Sequence, residues 1–184
     1  MSEGSLKSWR DFCHCRVPIV KARVEEICRV AIGPKVLEVG CNEGWVAKAL
    51  MEDRGFDVTA VDNRDKAIQE TKDYFGIEAV KADANKLPFE DGSFDTVVGG
   101  EILEHLMNPG IGLSEMFRVA RKQVIITLPI GKYWLDEPTH AWELNGCTVE
   151  HEVGAIIPYH KHQFVIDFQL RRKLNPDGFT YSNI

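Results

Sequence analysis

Apolar positions along the chain alternate between two periods. Val20, Val24, Ile27, Cys28 and Ala31 fall on one face of a helix, and Gly33-Pro34 stops that run before a short apolar strand, Lys35–Val39. A glycine-containing turn follows, then a helix from about Gly44 to Arg54 with Ala47, Leu50 and Met51 inward, then Gly55 and the strand Asp57–Val61. The unit is strand, helix, strand. It repeats with a helix over Lys66–Phe75 closed by Gly76, a short strand near Glu78–Lys81 and a clear one at Phe94–Val98. A helix over Ile111–Ala120 and the strand Gln123–Leu128 complete the series. Such alternation predicts a mostly parallel sheet with helices on both faces.

The remainder has a different pattern. From Pro129 to Asn145 no period holds, and the stretch reads as a long loop of the kind that often carries function. Two extended stretches, Cys147–Ile157 and Gln163–Arg171, are joined by Pro158–His162 and can pair as a hairpin at the sheet edge. The expected fold is therefore α/β: a Rossmann-like, doubly wound, mostly parallel sheet with an antiparallel edge hairpin. One domain is expected over 1–184, divided into a leading helix region (1–34), a core (35–129) and a final loop and hairpin (130–184). The 184 residues suffice for one ordinary core and are too few for two full-sized domains.

Charge narrows the partners. The whole chain carries a formal net charge of −6, and Val36–Phe117 alone holds 17 acidic against 7 basic side chains. A nucleic-acid backbone is not drawn to such a surface. The basic residues near the ends (Arg10, Arg16, Lys21, Arg23, Arg29 and Arg171-Arg172-Lys173) are mixed with acids and read as solvated faces. No stretch is long and apolar enough to span a bilayer, and the first residues do not resemble a signal peptide. Five scattered cysteines fit reduced thiols, so a cytoplasmic setting is expected.

Candidate chemistry begins at the first strand–helix turn, Glu38-Val39-Gly40-Cys41-Asn42-Glu43-Gly44. A carboxylate there precedes a glycine at the carboxyl end of a strand, where open parallel sheets bind ligands. Gly40 removes the side chain that would block a ligand, and the helix start at Gly44 offers unpaired N–H groups. The dinucleotide pattern Gly-x-Gly-x-x-Gly fails at Asn42 and Val46, and no Tyr-x-x-x-Lys pair appears, which disfavours a nicotinamide enzyme. Asp62 follows the second strand, where an acid can accept hydrogen bonds from both ribose hydroxyls. Asp83-Ala84 follows the third and can border an adenine.

Taken in order, Val36–Gly44, Val61-Asp62, Asp83-Ala84, Leu87-Pro88-Phe89-Glu90-Asp91-Gly92-Ser93-Phe94-Asp95 and Glu101-Ile102-Leu103-Glu104-His105-Leu106 resemble the class I S-adenosylmethionine-dependent methyltransferases, over about half of the chain. The resemblance implies S-adenosylmethionine as cofactor. It assigns Glu38, Gly40, Cys41 and Gly44 to the methionine part, Asp62 with Asn63 to the ribose, and Asp83 with Ala84 to the adenine. Glu101 and His105 would stand near the cofactor at the active-site mouth. The family usually has glycine where this chain has Asn42, the non-glycine residue type that best tolerates positive φ. It also usually inserts a helix before the last two strands, whereas Gly178-Phe179 comes after them here, so the acceptor side is reduced or rearranged.

The expected reaction is transfer of a methyl group to a small-molecule acceptor by in-line displacement, which needs positioning and exclusion of water more than it needs metal or a covalent intermediate. His105, His140 and Glu104 are candidate bases if the acceptor must lose a proton. Tyr133, Trp134, His140 and Trp142 are candidate acceptor contacts. No metal site is expected: Cys13-His14-Cys15 has no second close pair, and His140, His151, His160 and His162 with Glu150 and Glu152 read as polar residues of the loop and edge hairpin. The alternative reading is a non-catalytic S-adenosylmethionine-binding protein, motivated by Asn42 and the reduced acceptor side. Oligomeric state is not legible.

Overall fold

The computed structural model describes residues 8–11, 18–129, 153–160 and 163–169, the last two stretches by their backbone. In chain order the elements are α1 (Pro18–Val30), β1 (Lys35–Val39), α2 (Trp45–Arg54), β2 (Asp57–Asp62), α3 (Asp65–Phe75), β3 (Val80–Lys81), β4 (Phe94–Gly100), α4 (Pro109–Val119), β5 (Ala120–Pro129), β6 (Val153–His160) and β7 (Gln163–Gln169). They form one sheet in the order β3-β2-β1-β4-β5-β7-β6. The first five positions are parallel, and β7 runs antiparallel to both β5 and β6. The order reverses between β1 and β4, and it is beside that reversal that an open parallel sheet leaves a crevice.

Alternation along the strands divides the core in two. Val36, Val98 and Ile125 face α1, α2 and the end of α3, together with Val24, Ile27, Ala47, Leu50 and Phe75. Leu37, Val97, Val124 and Ile126 face the other way, against Met116 and Phe117 of α4. Both faces of the central strands are thus covered, which is why they read as continuous apolar runs.

Several boundaries differ from the sequence pattern for local reasons. β4 continues through Gly99 and Gly100, because Gly99 lies under Met116 and Ile126, where a Cβ would come within 3.0 Å of each. The fourth helix covers Pro109–Val119 rather than Ile111–Ala120; Ala120 is already extended, so helix passes directly into strand. Gly44 is the cap of α2 rather than its first residue, at φ 83°, and its Cβ would sit 2.6 Å from Thr71 of α3. The third strand shrinks to Val80–Lys81. Asp62, expected just past the second strand, is its last residue. In β6, Pro158 to His160 belong to the strand rather than to the joint between strands.

One contact was not expected at all. Residues 9–11 form a short 3₁₀ turn whose Trp9 is fully buried against α2, with its indole N–H donating to Asp53 at 3.2 Å while Arg10 makes two hydrogen bonds to the same carboxylate. An isolated Trp between polar residues was the available signal, and it has no period to reveal it. Cys28 and Cys41 are buried free thiols. Among the described residues no helix is long and apolar enough to cross a membrane.

A buried polar knot fixes α1 to the sheet. The Gln123 side chain accepts from Ile32 N–H at 2.9 Å and donates to Val30 C=O at 3.0 Å, and Thr96 Oγ1 lies 2.7 Å from Gln123 Oε1 and 2.6 Å from Ile32 O. Both side chains are fully buried. Gln123→Leu removes the amide donor to Val30 C=O and leaves Ile32 N–H only its longer bond to Thr96 Oγ1 at 3.3 Å, and it is expected to lower unfolding free energy by about 2 kcal/mol, measured by urea denaturation.

Candidate active site

The carboxyl ends of β1, β2 and β4 open onto a cleft of 630 Å³, within the size range of small-molecule sites. Its floor is the turn after β1. Gly40 sits at φ 76° and Asn42 at φ 48°, both in the left-handed region. A Cβ on Gly40 would lie 2.6 Å from Ile102, itself a cleft residue, so glycine keeps the floor open. Asn42 holds its conformation with its C=O accepting from Thr71 Oγ1 at 2.8 Å.

Asp62 closes one side. Its carboxylate accepts from Asn42 N–H and Arg64 N–H, each at 3.0 Å, which ties the turn after β1 to the turn after β2. The Arg64 side chain adds two hydrogen bonds, Nε at 3.1 Å and Nη2 at 3.2 Å. Glu38 is buried on β1 and accepts from Ala47 N–H, in the first turn of α2, at 2.9 Å. Burial pushes its pKa up to about 8 against that hydrogen bond, and nearby Asp62 pushes it further.

The opposite wall carries Arg23 and Glu101. Arg23 reaches in from α1 with its side chain only 13% exposed, its guanidinium over the Trp45 ring and 3.5 Å from Glu101. It is therefore not on a solvated face, contrary to the expectation for the basic residues near the chain ends. Helical spacing could have shown this, since Arg23 neighbours Val20, Val24 and Ile27 on α1. Glu101 sits at φ 53°, unusual for a long side chain, and its N–H donates to both Thr127 O and Thr127 Oγ1 at 3.1 Å. Glu104 is buried, and burial followed by the Glu101 charge pushes its pKa up to about 8.

Of the residues expected from the sequence, the cleft brings together Glu38, Gly40, Cys41, Asp62, Asn63, Ala84, Glu101 and His105. Gly44 lies outside the lining and serves the packing of α2 on α3. Asp83 is exposed and also outside it: its carboxylate accepts from Asn85 N–H at 2.9 Å and shapes the turn after β3, while Ala82 and Ala84 face the cleft. Glu104 does not line the cleft either. Cys41 is held as a neutral thiol, its pKa pushed up to about 12 by burial, and offers no thiolate. His105, exposed at the end of a 3₁₀ turn (Leu103–His105), stands at the mouth. Tyr133, Trp134, His140 and Trp142 lie outside the described residues, as do Cys13, His14 and Cys15.

A family model described as a methyltransferase domain matches residues 37–128, half of the chain. The chain belongs to the class I S-adenosylmethionine-dependent methyltransferases. A probable S-adenosylmethionine-dependent methyltransferase of Mycobacterium tuberculosis is 33% identical over 119 residues, which are 60% of this chain and 43% of that protein. A ubiquinone biosynthesis O-methyltransferase of Bordetella avium is 31% identical over 103 residues, 52% of this chain and 42% of the relative. The chain thus spans less than half the length of these curated relatives. The PH0226 protein of Pyrococcus horikoshii shares the fold with a TM-score of 0.66 at 18% identity, covering 89% of this chain and 98% of that one.

The cofactor of this family is S-adenosylmethionine, and the methyltransferase cleft fits its chemistry. It combines a glycine floor, a carboxylate at the end of β2, a half-buried cation on α1 and apolar walls at Val39, Ile102 and Leu106.

The raised pKa of Glu38 makes stability depend on pH. Because the folded value lies above the ordinary carboxylate value of 4.5, the protonated group contributes stability that is whole below 4.5 and lost as pH rises to about 8. Glu104 acts in the same direction. Unfolding free energy is expected to fall between about pH 5 and pH 8. Glu38→Gln keeps an acceptor for Ala47 N–H and should flatten part of that fall; an unchanged slope would show that Glu38 does not titrate there.

Proposed function

We propose that this chain is an active methyltransferase that holds S-adenosylmethionine in the cleft and passes its methyl group to a small acceptor entering between Glu101 and His105. The observation that carries the reading is the convergence of Gly40, Asp62, Arg23 and Glu38 on one cleft at the carboxyl ends of β1 and β2. Each matches a different part of the ligand. Asp62 suits the ribose hydroxyls, Ala82 and Ala84 leave a flat apolar edge for adenine, and Gly40 admits the chain that joins the sulfur to the amino acid. Arg23, half-buried beside Glu101, is the cation placed for the cofactor's carboxylate, and Glu38 the buried carboxyl placed for its ammonium end.

When bound there, S-adenosylmethionine supplies a methyl group on positively charged sulfur. The protein's contribution is orientation and exclusion of water: Ile102, Leu106 and Trp45 wall the cleft, and Arg23, by pairing with Glu101, sets the charge at the mouth. His105 can accept a proton from an acceptor hydroxyl or ammonium at its imidazole. The name of the Bordetella avium relative supports a small acceptor with a hydroxyl group, and the acidic core supports a neutral or cationic one over nucleic acid. A reducing, cytoplasmic setting belongs to the same reading, supported by the free thiols Cys28 and Cys41.

Calorimetry is expected to show binding of S-adenosylmethionine and S-adenosylhomocysteine but not NAD. Arg23→Ala should weaken both by about tenfold, the equivalent of ~1.4 kcal/mol for one charge-assisted contact. Unchanged affinity would remove Arg23 from the site. Mass spectrometry of the protein with S-adenosylmethionine and a panel of small hydroxylated and amine acceptors tests transfer itself; no transfer to any acceptor and no slow hydrolysis of the cofactor would count against catalysis. With an acceptor in hand, His105→Ala should slow transfer by about tenfold or more while leaving cofactor affinity unchanged.

A further inference from the structure

The carboxylate assigned to the ribose is fully subscribed by the protein itself. A carboxylate offers about four lone-pair directions, two on each oxygen. Asp62 Oδ1 takes Arg64 N–H at 3.0 Å and Arg64 Nε at 3.1 Å; Oδ2 takes Asn42 N–H at 3.0 Å and Arg64 Nη2 at 3.2 Å. Two of the four donors are backbone groups that hold the floor of the cleft together. The other two are the fork of a guanidinium whose side chain is 59% exposed and can leave. Nη2 is further held by Asn42 Oδ1 at 2.9 Å. Both Asn42 and Arg64 line the cleft.

Resting on the ribose reading above, we propose that Arg64, anchored by Asn42, is a built-in competitor for the ribose site. A vicinal diol presents two O–H donors to one carboxylate, and the guanidinium fork presents two N–H donors to the same carboxylate. The two cannot be accommodated together without displacing a backbone donor. Ligand therefore enters by exchange, two hydroxyl hydrogen bonds for two guanidinium ones, and Arg64 swings into solvent. The apparent affinity for a nucleoside ligand is reduced by the fraction of molecules in which the latch is open. The side chain of Asn42 explains why the latch closes in this chain: glycine at that position has no oxygen to hold Nη2.

The test uses Arg64→Met, which keeps the length and bulk of the side chain but has no donors. Calorimetry with S-adenosylhomocysteine on the full chain is expected to show binding about fivefold tighter than in the parent, the scale of an exposed guanidinium–carboxylate pair. Asp62→Asn placed in the Arg64→Met background should then weaken binding at least tenfold. Affinity in Arg64→Met equal to or weaker than the parent, together with that loss at Asp62, overturns the latch and leaves the ribose assignment standing. If Asp62→Asn in this background changes nothing, the ribose assignment falls and the latch with it. Circular dichroism melting of each variant establishes that the comparison is between folded proteins.

Discussion

The cleft depends on one carboxylate being able to hold two loops at once. Asp62 ends β2, and through Asn42 N–H and Arg64 N–H it joins the turn that leaves β1 to the turn that leaves β2. Parallel strands bring those turns side by side, and Gly40 N–H and Cys41 N–H still donate to Val61 C=O at 2.8 and 2.9 Å; beyond Cys41 the side chain of Asp62 takes over from the ladder. It is a buried acceptor shared by two backbone donors. The same oxygens that organise the cleft are those of the proposed ribose contact, so on that reading scaffold and recognition draw on a single group.

Charge in and beside the cleft is arranged by burial as much as by pairing. Glu38 and Glu104 are both buried and both held toward their neutral forms, whereas Asp95, on the same strand layer but away from the cleft, is pulled the other way. Burial alone would raise Asp95 too; hydrogen bonds from Arg121, Lys122 and Lys35 N–H outweigh it and hold the group at about 2. The contrast lies in the supply of donors. At the amino ends of the strands, basic side chains from β5 are at hand, while the carboxyl ends offer Glu38 one backbone N–H and the field of the half-buried Arg23, which itself pairs with Glu101. The cleft lining sets two arginines, Arg23 and Arg64, beside the three carboxyl groups of Glu38, Asp62 and Glu101.

The sheet and most of its helices were legible because their apolar periods are strong, and the acids at the ends of β1 and β2 were legible because their position relative to strand and glycine carries the chemistry. What escaped was set by tertiary contact. Gly44 reads as a ligand residue in the sequence; in the structure it lies outside the cleft lining, and its Cβ position meets Thr71, which lies 27 residues on and has no local mark in the sequence. Asp83 reads as an adenine contact in the sequence; in the structure it lies outside the cleft lining, with its carboxylate accepting from Asn85 N–H in its own turn. Arg23 was hidden among residues counted by charge, though its place on the inward side of α1 was already written in the spacing of Val20, Val24 and Ile27. The partnership of Arg64 with Asn42 spans two loops, and only the fold brings them together.

The knot of Gln123 and Thr96 has a reach beyond its own neighbourhood. It grips the carboxyl end of α1 at Val30 and Ile32, and Arg23 projects from the same rigid rod seven residues earlier, about 10 Å along its axis. The helix therefore works as a lever whose fulcrum is a glutamine under the sheet and whose tip is the arginine in the cleft. Loosening the fulcrum displaces the tip. On the reading in which Arg23 meets the cofactor, ligand affinity and the anchorage of α1 would be linked, and a change at Gln123 would be felt in binding as well as in stability.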